Sequence, residues 1–143
     1  MKVRFRFEKL EVWQEARSVN RIIYTLARRF PRPETFAMAS QVRRAAVSIA
    51  ANIAESSGRN SDKDFAHFLE QAYASLMEVA SVLYLALDEA YVSENDINPL
   101  FDQLARLAKR IASLNRSLSV AVSKTPFGRQ NSVTLDSRHS TFD

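Results

Sequence analysis

Few side chains in this sequence have the type and spacing to do chemistry. Asp64 and His67 lie three residues apart, the spacing of half a di-metal site on the facing helices of a bundle. Such a site needs a second acid-x-x-His pair on another helix. No other helical segment carries one, and the second histidine, His139, falls in the C-terminal tail. His67 therefore reads as an ordinary helix residue, and no metal site is expected. No Gly-rich phosphate loop, nucleophile elbow or HExxH motif is present. The chain reads as a non-enzyme that needs no cofactor.

Two other groups of residues are suited to binding rather than reaction. The first lies on R-R-A-A-V-S-I-A-A-N-I-A-E-S, residues 43–56. Val42, Ala45, Ile49 and Ile53 make an apolar stripe, and Gln41, Ser48, Asn52 and Glu55 make a polar, mostly uncharged one beside it. Between Phe36 and Ser57 only Arg43, Arg44 and Glu55 are charged. Depletion of charge marks the core of a protein interface. Gln41, Ser48, Ala51, Asn52 and Glu55 are therefore read as an oligomer interface. The alternative is a small-molecule groove formed by Ser48, Asn52 and Glu55 with Arg44 nearby.

The second group is cationic. Arg28, Arg29 and Arg32 close the first helical segment, Arg43 and Arg44 open the second, and Arg106, Lys109, Arg110 and Arg116 lie in the second half of the fourth. Cations near helix C-termini complement the dipole, which accounts for much of this placement. The guanidinium fork also donates two parallel hydrogen bonds to phosphate. Arg28, Arg29, Arg43, Arg44, Arg106 and Arg110 are the expected contacts to RNA or DNA. Aromatic residues are not interleaved with them, which argues against a single-strand-binding role for these arginines.

The elements that must carry these residues are helical. Val12, Ala16, Val19, Ile23, Leu26 and Phe30 recur at alternating spacings of four and three, a packing stripe that predicts a helix over about 9–29. Pro31 and Pro33 stop it. A second helix is predicted over 35–57, with Gly58 as its C′ residue. A third is predicted over 62–90, with Ser61 as N-cap and Asp62 and Asp64 in its first turn. For the fourth, Ser93 and Asn98 compete as N-caps. Pro99 favours Asn98, because proline is comfortable at the first helical position and costly deeper inside. A firm helix is therefore expected over 98–122, after a loose turn at 94–97. Trp13, Phe65, Phe68, Tyr73 and Tyr84 read as core or interface anchors. Residues 123–143 have no sustained period and read as a disordered polar tail. The fold class is thus all-α: an antiparallel up-down-up-down four-helix bundle over residues 1–122.

Composition bounds the reading. There is no cysteine, hence no disulfide framework or thiolate site. The net charge of +4 permits nucleic-acid binding without demanding it. The start M-K-V-R-F-R-F-E-K-L is charged where a signal peptide is apolar, and no apolar run is long enough to span a bilayer. A cytoplasmic protein with no membrane role is expected.

The residues also resemble a known family. F-E-K-L-E-V-W-Q-E-A (7–16), Q-V-R-R-A-A-V-S-I-A-A-N-I-A-E (41–55) followed by G-R (58–59), and F-A-H-F-L-E-Q-A-Y-A-S-L-M-E (65–78) are similar to a widespread bacterial family. Its members are four-helix-bundle proteins encoded in intervening sequences of 23S ribosomal RNA genes. The resemblance covers roughly 7–120. It implies a bundle that assembles into a ring-like homopentamer. It also implies likeness in fold to the accessory variability protein of diversity-generating retroelements, which works with a reverse transcriptase and nucleic acid. It implies no particular activity. Two features depart from the family pattern. E-S-S-G-R (55–59) stands where Glu is usually followed directly by Gly, which predicts a longer or differently angled junction between helices 2 and 3. The residues after about 122 extend past the usual family length.

The function expected from all this is a self-assembling, non-enzymatic scaffold that binds RNA or DNA through basic patches. A protein-only interaction module is the alternative, and small-molecule binding along the helix 2 polar stripe is a third reading.

Overall fold

The computed structural model describes residues 2–123. Those residues contain four α-helices and no strand: α1 Glu11–Ala27, α2 Met38–Ser57, α3 Asp62–Asp88 and α4 Glu94–Ser123. Short 3-10 turns precede α1 (Arg6–Lys9) and α2 (Arg32–Glu34). Each helix packs on its two neighbours in the cycle α1, α2, α3, α4, and none touches the helix diagonally opposite. Paired side chains set the directions. Glu15 meets Arg110, Ser18 meets Gln103 and Arg29 meets Asp96, so α1 and α4 run antiparallel. Gln41 with Glu78 and Ser48 with Ser75 do the same for α2 and α3. The result is an antiparallel up-down-up-down four-helix bundle.

The core is built by the residues whose period predicted the helices. Val12, Ala16, Val19, Ile23, Leu26 and Phe30 are all buried. They face Val42, Ile49 and Ile53 of α2, Leu69, Leu76 and Leu83 of α3, and Leu100, Leu104, Leu107 and Ile111 of α4 within one continuous cluster. Burying a side chain of this size stabilises by about 1.5–3 kcal/mol. The α2–α3 seam is the most extensive and the α1–α4 seam the thinnest. Many buried positions on α2 and α3 are alanine: Ala39, Ala45, Ala46, Ala72 and Ala86. Small side chains let helix backbones approach closely.

The helix ends differ from the expectation in four places. α1 begins at Glu11, because Glu8 folds the preceding residues into a 3-10 turn by accepting the backbone N–H groups of Arg4 and Phe5. α2 begins at Met38 instead of 35. Its first N–H is taken by the Glu34 carboxylate at 3.2 Å, which serves where Ala37 offers no cap. α3 ends at Asp88, and the chain turns through Ala90, at φ 59° in the left-handed region. There the Tyr91 N–H reaches the Ala86 carbonyl at 2.9 Å, and the Ala90 N–H reaches that of Leu87 at 3.0 Å. That pair of bonds is a Schellman motif. α4 begins at Glu94, with the Ser93 hydroxyl accepting the Asp96 N–H at 3.2 Å. Ser93 therefore wins over Asn98. Pro99 sits inside the helix, where its missing N–H forfeits the one bond to the Asn95 carbonyl. The neighbouring Ile97 and Leu100, both buried, offset that loss.

The junction between α2 and α3 is also informative. α2 runs through Ser57, and both serines are buried, their hydroxyls donating back to the Ile53 and Ala54 carbonyls. Gly58 caps the helix at φ −87°, right-handed, so its position does not require glycine's freedom. The expected tail lies outside the described residues apart from Ser123, the last residue of α4.

Candidate functional site

The polar stripe of α2 does not face solvent as a unit. Ser48 and Asn52 are half-buried against α3. The Ser48 and Ser75 hydroxyls share a hydrogen bond at 2.8 Å, and the Asn52 amide donates to the Ser48 carbonyl at 2.9 Å and hydroxyl at 3.0 Å. Gln41 donates to Glu78 at 3.4 Å. Glu55 pairs with Arg59, whose guanidinium lies over the Phe68 ring 4.3 Å from its centroid. Ser48 and Asn52 thus form an intramolecular polar seam, since hydroxyl and amide groups at this depth need partners, while Gln41 and Glu55 are exposed. Ala51 is the member that stands free, on the exposed face of α2.

That face carries Arg44, Val47, Ala51 and Glu55. No charge lies between its two ends, and Val47 is 45% exposed. Beside it, on the α1 side, runs a shallow groove lined by Phe7, Trp13, Asn20, Ala50, Ala51 and Ala54. The groove is nearly all apolar. The Arg17 side chain and Asn20 also line it, and the Asn20 side-chain oxygen is buried with no hydrogen-bond partner among the described residues. On the other side of the bundle a second apolar surface is exposed. Tyr73, Met77 and Tyr84 run along α3, and Tyr84 stacks on Phe101 of α4 at 4.4 Å. Leu85 is also exposed, on a different flank of α3. The sequence periods did not single out Met77, Leu85 or Val47. A reading of which apolar residues fall off the packing stripes would have found them.

The arginines divide by partner. Arg29 pairs with Asp96, Arg110 with Glu15, and Arg43 donates to the Thr35 carbonyl at 3.2 Å. Among the described residues Arg28 reaches only the Thr25 hydroxyl, at 3.4 Å, and Arg44 and Arg106 are exposed with no ion pair. Arg28, Arg29 and Arg32 share one end of the bundle with the start of α2. The same end holds Glu34, Asp88, Glu89, Glu94 and Asp96, so its positive charge is matched there. The Arg29 hydrogen bond, then that from Ser93, holds the Asp96 carboxyl below its usual range. Glu34 also accepts the Tyr91 hydroxyl at 3.3 Å, and burial first, then Glu34, pushes the Tyr91 hydroxyl up. Arg106 and Arg110 lie in the second half of α4, nearer the opposite end.

Reasoning from the arginines alone passed over the first residues of the chain. Lys2, Arg4, Arg6 and Lys9 are all exposed, and Phe5 and Phe7 alternate with them. The alternation R-F-R-F is visible in the sequence.

Asp64 and His67 are both exposed near the start of α3, and His67 rests edge-on against Phe68. Among the described residues no group of three or more His, Cys, Asp or Glu side chains gathers to hold a metal ion, and no helix is long and apolar enough to cross a membrane.

A family model described as 23S rRNA-intervening sequence protein matches residues 8–113. The fold is similar to that of a solved protein of unknown function from the S23 ribosomal protein family of Bacteroides thetaiotaomicron. The TM-score is 0.68 at 23% identity, covering 73% of this chain and 97% of that one. No curated protein matches.

Proposed function

The chain belongs to the 23S rRNA-intervening sequence protein family, and from that premise we propose that it acts in the cytoplasm as a non-enzymatic, self-assembling bundle. The observation that carries this reading is the outward face of α2, uncharged between Arg44 and Glu55, with the largely apolar groove beside it. A groove floored by alanine needs bulky partners. The same chain exposes them on α3 as Tyr73, Met77 and Tyr84. We assign a second copy of the chain as the occupant, its α3 surface seated on the α1–α2 groove. Such a contact joins two different surfaces, and heterologous contacts that close make rings. The homopentamer implied by the family resemblance is the ring we propose.

A second reading sits on top of the first. The net charge of +4 and the unpaired Arg28, Arg44 and Arg106 favour a nucleic acid as what the assembly holds. Repetition around a ring multiplies weak patches into useful avidity. Size-exclusion with light scattering, run with and without RNA, tests both. A monomer at micromolar concentration sinks the assembly. An intact oligomer that shifts no RNA or DNA at low salt leaves a protein-only scaffold. A small-molecule role for Ser48 and Asn52 has less support, because Ser48 is already bonded to Ser75 of α3 and Asn52 to Ser48.

A further inference from the structure

We propose that the segment before α1 is a platform for single-stranded nucleic acid: a base stacks on Phe5 while Lys2, Arg4, Arg6 and Lys9 hold the flanking phosphates. The inference rests on the nucleic-acid reading above and says where, and in what form, the strand is bound.

Three features of residues 2–9 point to this ligand. The first is a ready-made stack. The Phe5 and Phe7 rings are parallel within 4° at 5.7 Å between centroids, and Phe7 leans on Trp13 at 4.7 Å. Arg17 lies over the Trp13 ring. Phe5 is the outermost member and is 60% exposed. A nucleobase laid on its open face continues the series, and base–aromatic stacking is worth about 1–3 kcal/mol per base.

The second feature is charge. The four cations are exposed and make no ion pair among the described residues. The single acid of the segment, Glu8, is already committed to the backbone N–H groups of Arg4 and Phe5. Those bonds, Phe5 first, hold its carboxyl below the usual range, so one negative charge stands against the four cations of the segment.

The third feature is order. Besides the Glu8 bonds, the Leu10 N–H meets the Phe7 carbonyl at 2.9 Å and the Gln14 amide meets the Glu8 carbonyl at 2.8 Å. The platform is therefore set before a ligand arrives and loses little entropy on binding.

Phe36 makes a useful contrast. It is 93% exposed, stacks on no ring among the described residues and stands at the end of the bundle where five acids answer the arginines. A duplex is disfavoured at Phe5, because its base faces are already covered by their neighbours.

The test measures anisotropy of a labelled oligouridine about 20 nucleotides long, against a duplex of equal length at the same salt. The single strand should bind tighter. Phe5→Ala should weaken it at least about tenfold, and Phe5→Trp should retain it. Arg4→Gln and Arg6→Gln should each flatten the log-affinity against log-salt slope by about 0.7. Circular dichroism confirms that the variants fold. If neither strand nor duplex binds at low salt, this inference and the nucleic-acid reading fall together. If the protein binds but prefers duplex, or ignores Phe5→Ala, the platform alone is overturned. Should Phe5→Ala change the assembled mass and not the oligonucleotide affinity, Phe5 belongs to a protein contact and the platform is again refuted.

Discussion

Ala51→Glu and Met77→Glu should each break the assembly, and their mixture should partly restore it. Both positions are exposed in the single chain, so neither change disturbs the core. The contact at stake can be sized. Val47, Tyr73, Met77 and Tyr84 are 45%, 39%, 43% and 57% exposed. Full burial of such a side chain is worth about 1.5–3 kcal/mol, so the exposed half leaves about 1 kcal/mol each and about 4 kcal/mol together. An unpaired carboxylate forced into the same contact costs about 3–5 kcal/mol. Association should weaken by a factor on the order of 10² to 10⁴, enough to turn a micromolar oligomer into a monomer. Each variant nevertheless keeps one intact surface: Ala51→Glu retains the α3 side and Met77→Glu retains the groove. Mixed, they should form one-to-one dimers that cannot grow, visible by native mass spectrometry. If Ala51→Glu kept the wild-type mass, the α2 face would not be the interface. If the mixture stayed monomeric, the two residues would not meet across a heterologous contact.

Four further outcomes are expected. Ala90→Gly should raise stability by about 1 kcal/mol, because a left-handed alanine is strained and glycine is not; thermal melting reads this as an increase of several degrees. Asp96→Asn should blunt acid denaturation. The native Asp96 pKa is lowered by Arg29, so its contribution is present above the unfolded carboxylate value and lost as pH falls from there through the native one. The opposite sign holds for Tyr91, whose pKa is raised: its contribution is present below the unfolded tyrosine value and lost as pH rises, so Tyr91→Phe should reduce the alkaline loss of stability in a pH-dependent melt. Arg44→Gln should flatten the salt dependence of nucleic-acid binding, whereas Arg43→Gln should chiefly lower the melting temperature, because Arg43 is already bonded to Thr35.

The bundle was legible because its stripes are long. The α1 series from Val12 to Phe30 is buried at every position, and no strand pattern competes with that period. Helix ends were less legible, since they depend on single side chains acting at a distance. Glu34 starts α2 from outside it, and Ser93 outweighs the Pro99 signal. The candidate site was legible in part. Helix 2 stood out for its missing charge, which is real, but one sequence cannot say which flank of a helix meets a neighbour in the same chain. Ser48 and Asn52 proved to be on that flank, and Ala51 on the open one. The arginines were picked by type, and type does not reveal that Arg29 and Arg110 are spent on Asp96 and Glu15.

Those two ion pairs have a kinetic consequence. They cross the thin α1–α4 seam, which joins the first helix of the chain to the last. Contacts of such long sequence separation form late, because loop closure must precede them. The α2–α3 hairpin, local in sequence and tightly packed, is the natural nucleus. The seam is then the last to close and the first to open, and exposed ion pairs there are screened by salt. Native-state hydrogen exchange should find α1 and α4 opening together at lower free energy than α2 and α3, with the gap widening as ionic strength rises.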